Sequence, residues 1–179
     1  MIYEFCAENV TLLEKAMQAG ARRIELCDNL AVGGTTPSYG VTKAAVELAA
    51  DYDTTIMTMI RPRGGDFVYN DLEVAIMLED IALTAQAGSQ GVVFGALTAD
   101  KKLDKANLEK LVAASKGMDI VFHMAFDDLS DEDQLEAIDW LSQAGVTRIL
   151  TRAGVSGDSL EKRFSHYHRI LEHAAGKIE

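Results

Sequence analysis

The sequence lacks several features that would place it in a specialised class of protein. It has only two cysteines and two prolines in 179 residues, and its 17 lysines and arginines stand against 28 aspartates and glutamates. Two cysteines do not make a disulfide framework. The net charge of −11 disfavours binding to nucleic acid and to anionic membrane surfaces, both of which attract basic proteins.

Long apolar segments are also missing. No apolar run approaches the roughly 18 residues of a spanning helix, so we expect no membrane association. Residues 1–6 lack the basic and apolar regions of a signal peptide. These two absences together predict a cytoplasmic location.

What the sequence does contain is a repeated pattern in which a glycine ends a helical segment and a short apolar run follows. Gly20, Gly88 and Gly145 each follow an alanine and precede such a run. Glycine suits the position after a helix, because it adopts a left-handed conformation without a Cβ clash. The repeats are mostly about thirty residues long, which is the length of one βα unit.

The pattern predicts six strands that alternate with six helices. We expect strands near residues 2–7, 22–27, 55–60, 91–95, 119–123 and 148–151, and helices near 8–18, 38–50, 71–86, 104–115, 131–143 and 158–174. Short apolar strands that are each followed by a helix should be parallel and covered on both faces. No linker interrupts them, so residues 1–179 are expected to form a single domain.

Such alternation fits either a closed (β/α)₈ barrel or an open doubly wound sheet. No Gly-x-Gly-x-x-Gly follows the first strand, and polar residues collect after the strands, as in a barrel. A full barrel takes eight units and roughly 250 residues. We therefore predict an α/β fold of the TIM-barrel type, truncated to about six βα units, with a seventh strand beginning near residues 176–179. The first and sixth strands would then be open edges, which predicts a homo-oligomer that covers them.

Two cysteines form the first candidate site. Cys6 and Cys27 are expected at the same height on adjacent parallel strands, where their side chains would approach each other. Paired thiolates make a soft site that suits Cu(I). The alternative is that both are small buried apolar residues, which is a common role of free cysteine.

The loop after the third strand is the second candidate site. Arg61 and Arg63 flank a turn with Gly64 and Gly65, and this combination suits a carboxylate or phosphate ligand. The alternative is that Arg61 pairs inside the protein with Glu4 or Glu25, since an unpaired buried charge is costly.

His123 is a candidate general acid or base at the end of the fifth strand. Asp127 or a glutamate would orient its ring, so we group His123, Glu25 and Asp127 as candidate catalytic residues. The alternative is a hydrogen-bonded core histidine. The three histidines of the last helix, His166, His168 and His173, are expected to face solvent.

The motifs of this sequence, taken in order, resemble those of the CutC copper homeostasis family. They occupy residues 4–9, 19–30, 33–38, 61–69, 122–127 and 148–151. The resemblance implies a TIM-barrel fold, a cytoplasmic location and a role in copper handling with copper binding, and the family's strand-end cysteines match Cys6 and Cys27. The sequence departs from the family at Met124 and Arg152, and it lacks the family's last strand segments.

Three functions are therefore open. The first is a copper homeostasis protein that binds Cu(I) through Cys6 and Cys27, and it is the one that we favour. The second is an enzyme that acts on a small anionic metabolite, phosphorylated or carboxylated, held by Arg61 and Arg63 with His123 transferring a proton. The third is a scaffold without catalytic activity that assembles through its open edges.

Overall fold

The computed structural model describes residues 1–154 and 157–179, and within them parallel strands alternate with helices as predicted. The strands are β1 (Glu4–Glu8), β2 (Arg23–Cys27), β3 (Thr55–Met59), β4 (Gly91–Phe94), β5 (Asp119–Phe122) and β6 (Arg148–Ile149). The helices are α1 (Leu13–Gln18), α2 (Tyr39–Ala49), α3 (Asp71–Ala87), α4 (Lys105–Ala114), α5 (Asp131–Ala144) and α6 (Leu160–Ala174). Short 3₁₀ turns occupy Leu30–Val32 and Met124–Asp128.

The strands form one sheet in sequence order, β1-β2-β3-β4-β5-β6, and every neighbouring pair is parallel. Sequential order with a helix between successive strands is the connectivity of a TIM barrel. The sheet curves into a half-barrel whose strands all end at one rim. The prediction of a TIM-type fold truncated to about six βα units is confirmed.

Capping residues fix several helix starts where the sequence places them. The side chains of Ser38, Asp104 and Ser130 each accept a hydrogen bond from a backbone N–H in the first turn. Asn70 and Glu73 form a complete capping box at the start of α3. Such caps satisfy N–H groups that have no partner within the helix, and each stabilises its helix by about 1 kcal/mol.

The apolar core lies mainly between the convex face of the sheet and the helices. Ile24, Leu26 and Ile56 pack against α1 and α2, and a larger cluster joins β4 and β5 to α3, α4 and α5. Full burial of such a side chain stabilises the fold by about 1.5–3 kcal/mol. The opposite, concave face carries a smaller cluster made of Cys27, Met57, Met59, Val93 and Val121.

At Gly91, which starts β4, the Met57 side chain packs directly on the backbone. A Cβ atom built there would overlap the Cε atom of Met57 and would lie 2.7 Å from the carbonyl oxygen of Asp119. The Met57 side chain therefore lies across β4 at a point where only glycine leaves enough space.

The two edges of the sheet differ. No strand lies beside the outer edge of β1 within the described ranges. Beside β6, the backbone of Glu179 exchanges hydrogen bonds with Ile149 and Thr147, at N···O distances of 2.9 and 3.2 Å. The described sheet thus ends at β6, as expected, and the backbone of Glu179 pairs with β6 where a seventh strand was predicted to begin.

Two element boundaries also differ from the prediction. Helix α1 begins at Leu13, not near residue 8, because Asn9 has a positive φ of 56° and a turn precedes the helix. Strand β6 covers two residues instead of four. Across the described part of the chain, no helix combines the length and apolar character needed to cross a bilayer.

Candidate functional site

The first two strands bring two thiols and a carboxylate together on the concave face. Period-two alternation turns Cys6 of β1 and both Glu25 and Cys27 of β2 to the same side, and Cys6 is the register partner of Glu25. The two Sγ atoms are 4.0 Å apart. The Oε1 atom of Glu25 lies 3.3 Å from the Cys6 Sγ and 3.8 Å from the Cys27 Sγ, and both thiols donate to it.

Burial across this cluster is uneven. Cys27 is fully buried and Glu25 is 7% exposed, whereas Cys6 is exposed on the outermost strand. Burial raises the pKa of Glu25, because it disfavours the charged form. The hydrogen bond with Cys6 raises the pKa of Cys27 most, followed by burial. The neutral forms of the Glu25 carboxyl and the Cys27 thiol are thereby favoured.

One oxygen of Glu25 is left without a partner. Its Oε2 atom is buried and accepts no hydrogen bond from the described residues. Arg23, two residues earlier, donates instead to Glu4 at 3.2 Å. A buried acceptor without a donor is costly, so this oxygen is an unused ligand atom in a cluster of three residues.

A glycine loop covers the buried thiol. A Cβ atom at Gly34 would lie 3.0 Å from the Sγ atom of Cys27, and Gly34 has a φ of +87° that other residues rarely adopt. The loop backbone can therefore approach the sulfur closely only because this residue is glycine.

Arg61 follows β3 and is 4% exposed. Its guanidinium donates to the carbonyl oxygens of Val32, Gly34 and Gly65, at distances of 2.9, 2.9 and 2.7 Å. The alternative expectation, pairing with Glu4 or Glu25, is wrong, because backbone carbonyls satisfy the guanidinium instead. Its Nε atom has no hydrogen-bond partner within the described residues.

Arg63 and the adjoining glycines also contact protein groups. Arg63 forms ion pairs with Glu73 and Asp66, and these hydrogen bonds raise the pKa of its guanidinium. A Cβ atom at Gly64 would lie 2.8 Å from the Cβ atom of Val32, so this turn packs closely on the preceding loop. The candidate anion-binding residues therefore lie together, with their guanidinium groups largely occupied by protein acceptors.

His123 directly follows β5 and is 4% exposed. Burial, together with the nearby Arg61, lowers its pKa to about 3, so the ring is neutral at pH 7. Its Nδ1 atom accepts the N–H of Ala125 at 3.2 Å, which places the proton on Nε2. Phe67 packs on the ring at a centroid distance of 4.7 Å. Sequence reasoning missed Phe67, whose Arg-Gly-Gly-Asp-Phe context gave no sign of this contact.

Asp127 lies apart from the His123 hydrogen bonds. Its carboxylate accepts from the Thr151 hydroxyl and from the Arg152 backbone N–H. Glu25 likewise joins the two cysteines and not the histidine. The structure thus places the three candidate catalytic residues in three different hydrogen-bond environments.

The expectation that the histidines of α6 face solvent is wrong for His166, whose side chain is 13% exposed, and holds in part for His173, whose side chain is 30% exposed. His166 forms a 2.7 Å hydrogen bond with Gln134, and His173 forms a 3.0 Å hydrogen bond with Asp139. Both contacts join α6 to α5. His168 is exposed, as expected.

The sequence matches the model of the CutC family over residues 1–179. The chain belongs to the CutC family. A CutC family protein of Enterococcus faecalis is 51% identical over 178 residues, which cover 99% of this chain and 85% of the relative. A crystal structure of a CutC protein from Streptococcus agalactiae, named for copper homeostasis, is 45% identical with a TM-score of 0.96, and the match covers 100% of this chain and 85% of that one.

More distant structures share the fold alone. An archaeal fructose 1,6-bisphosphate aldolase is 15% identical with a TM-score of 0.65, and the match covers 91% of this chain and 62% of that one. The name of the Streptococcus agalactiae protein refers to copper homeostasis. In this chain, Cys6, Glu25 and Cys27 are the described residues whose ligand atoms gather closely enough for a metal, all within 4.8 Å of one another.

Proposed function

We propose that this protein is a copper homeostasis protein of the CutC type that binds Cu(I) as its cargo through Cys6 and Cys27. The observation that carries the proposal is the 4.0 Å separation of the two Sγ atoms on neighbouring strands. Thiolates are soft ligands and favour Cu(I) among biological metals. The name of the Streptococcus agalactiae relative, which refers to copper homeostasis, supports the same conclusion.

The unequal burial of the two thiols suits capture of an ion from solution. The exposed Cys6 gives an arriving ion its first ligand, and the buried Cys27 then shields the bound ion from water. The acidic chain, with a net charge of −11, attracts cations over a longer range. Thiols lose their protons when a metal binds, so affinity for Cu(I) should rise with pH.

Anaerobic competition against a chromophoric Cu(I) chelator tests the proposal on the reduced protein. We expect one tight site in the wild type and loss of that site in the Cys6→Ser/Cys27→Ser variant. Met118→Leu is a matched control, because it removes a soft sulfur from a partly buried position outside the thiol cluster. Equal stoichiometry and affinity in the wild type and the double serine variant would refute the proposal.

An enzyme for a small anionic metabolite is the second candidate function. Its support is the buried Nε2 proton of His123 and the buried Nε of Arg61, both without a partner among the described residues. Against it, Arg61 and Arg63 already bind carbonyl and carboxylate oxygens. If phosphate or oxalate stabilises the wild type against heat but does not stabilise His123→Asn, this second function is favoured over copper binding.

The resemblance to the family also implies a cytoplasmic location, which we include in the proposal because thiols stay reduced in the cytosol. The open outer edge of β1 supports assembly into a homo-oligomer, since exposed strand edges tend to pair. Sedimentation equilibrium should give a mass above 19.5 kDa, and a monomer at micromolar concentration would contradict the assembly.

A further inference from the structure

We propose that Glu25 makes the Cys6–Cys27 pair a three-ligand site that also binds a borderline divalent cation, Zn²⁺. The inference rests on the proposed function only in using the same two thiols. It adds a carboxylate ligand and a second metal, and it makes Glu25 the residue that sets the preference between the two ions.

The distances within the cluster fit tetrahedral Zn²⁺. With Zn–S bonds of about 2.3 Å, Zn–O bonds of about 2.0–2.2 Å and angles of about 109°, the sulfurs should lie about 3.8 Å apart and each sulfur about 3.6 Å from the oxygen. The observed Sγ–Sγ distance is 4.0 Å, and the two Sγ–Oε1 distances are 3.3 and 3.8 Å. Shifts of a few tenths of an ångström in rotatable side chains reach the ideal arrangement.

The unpartnered oxygen of Glu25 is an independent indication of a cation. The residue is 7% exposed and its Oε2 atom is buried without a donor in the described chain. Native proteins rarely leave a buried carboxyl group only partly satisfied, and a cation bound to the carboxylate offsets the cost of burying it without any change of fold. The adjacent positive charge of Arg23 does not do so, because it is paired with Glu4.

The donor set explains why this third ligand would discriminate between metals. Two soft thiolates suffice for Cu(I), which gains little from a hard carboxylate oxygen. Zn²⁺ accepts sulfur and carboxylate oxygen alike and takes four ligands. Three protein ligands leave the fourth position to water, and the exposed Cys6 side of the cluster gives water access to it.

The experiment compares Zn²⁺ and Cu(I) affinities of the reduced full chain by chelator competition. We expect Glu25→Gln to weaken Zn²⁺ binding at least tenfold more than Cu(I) binding, because the amide oxygen is a poorer ligand for Zn²⁺. Glu47→Gln is the control, since it removes the same charge from the exposed face of α2 without removing a ligand or freeing Arg23 from its ion pair. It should change both affinities by the same small factor.

Co²⁺ provides a spectroscopic readout that does not depend on any variant folding. We expect Co²⁺ bound to the wild type to show intense visible bands of tetrahedral coordination together with thiolate charge-transfer bands. If Glu25→Gln fails to fold, Glu25→Asp replaces it. This variant draws the carboxylate back by one methylene and should weaken the tetrahedral bands.

The possible outcomes separate this inference from the copper proposal. Wild type that binds Cu(I) but not Zn²⁺ overturns the inference and leaves the copper proposal standing. Zn²⁺ binding that depends on Glu25, without Cu(I) binding, supports the inference and refutes the copper proposal. Equal losses of Zn²⁺ and Cu(I) affinity in Glu25→Gln, or octahedral Co²⁺ spectra, also overturn it.

Discussion

The Cys6–Glu25–Cys27 cluster and the Arg61 guanidinium both lie at the concave side of the half-barrel, and their polar atoms are satisfied to different extents. Arg61 donates to three loop carbonyls, and its Nε alone among its nitrogens lacks a partner in the described residues. The cluster has an exposed thiol at one end and a buried carboxylate oxygen without a partner at the other. Arg61 therefore holds the loops in place, whereas the cluster keeps ligand atoms available. The contrast shows that charge near a barrel rim does not by itself identify a binding site.

The largest effect that tests this comparison is expected from Arg61→Met. The substitution keeps most of the side-chain volume but leaves three carbonyls without donors, and each unsatisfied buried group costs about 1–3 kcal/mol. We expect the free energy of unfolding in urea to fall by at least about 3 kcal/mol.

Arg63→Met is the matched control for that measurement. Arg63 also donates to three backbone carbonyls, but its side chain is 38% exposed, so water can replace those bonds and screen its ion pairs. Its loss should therefore cost several-fold less stability. Similar losses in the two variants would remove the distinction between a structural arginine and a surface arginine.

An intermediate effect is expected from pH, through His123. Its pKa is lowered from 6.5 to about 3 in the folded protein, so only the unfolded chain gains a proton as the pH falls below 6.5. The contribution of His123 to the free energy of unfolding is fully present above pH 6.5. As the pH falls from 6.5 toward 3, this contribution decreases by up to about 1.4 kcal/mol per pH unit.

The variant His123→Asn isolates this contribution, because the asparagine oxygen can still accept the Ala125 N–H. Urea unfolding between pH 7 and pH 5 should show a shallower loss of stability for the variant than for the wild type. Parallel pH profiles would mean that His123 takes up a proton in the folded state. The His123 ring would then be accessible to water in the folded protein.

The smallest effect is expected from Cys6→Ser. The residue is exposed at the edge of the sheet, so its replacement should change the free energy of unfolding by no more than about 0.5 kcal/mol. Thermal unfolding of the reduced, metal-free protein measures this directly. A loss comparable to that of Arg61→Met would show that the thiol cluster is structural and not reserved for a ligand.

The sequence predicted the order of strands and helices because its signals are local. Gly88 and Gly145 end their helices in the left-handed conformation, as the Ala-Gly pattern indicates, and Ser130 caps α5. The start of α1 was predicted too early, since the positive φ of Asn9 has no clear mark in the neighbouring residues. Local sequence signals therefore predicted the order of the elements better than the residues at which each element begins and ends.

The partners of the candidate site residues were harder to predict. Alternation along β2 already placed Glu25 on the same side as Cys27, and the parallel pairing of β1 with β2 added Cys6. The partners of Arg61 could not be inferred, because they are backbone carbonyls whose positions depend on loop conformation. Gly34 and Gly65, which supply two of them, both have positive φ.

The contact between Gly91 and Met57 has a consequence for how the sheet can vary. Shortening Met57 would not make room for a side chain at position 91, because the Asp119 carbonyl oxygen would still lie 2.7 Å from the added carbon. A larger residue there must push β5 away from β4. That displacement would travel along β5 to His123, so a single added methyl group near the bottom of the sheet would disturb the rim at its opposite end.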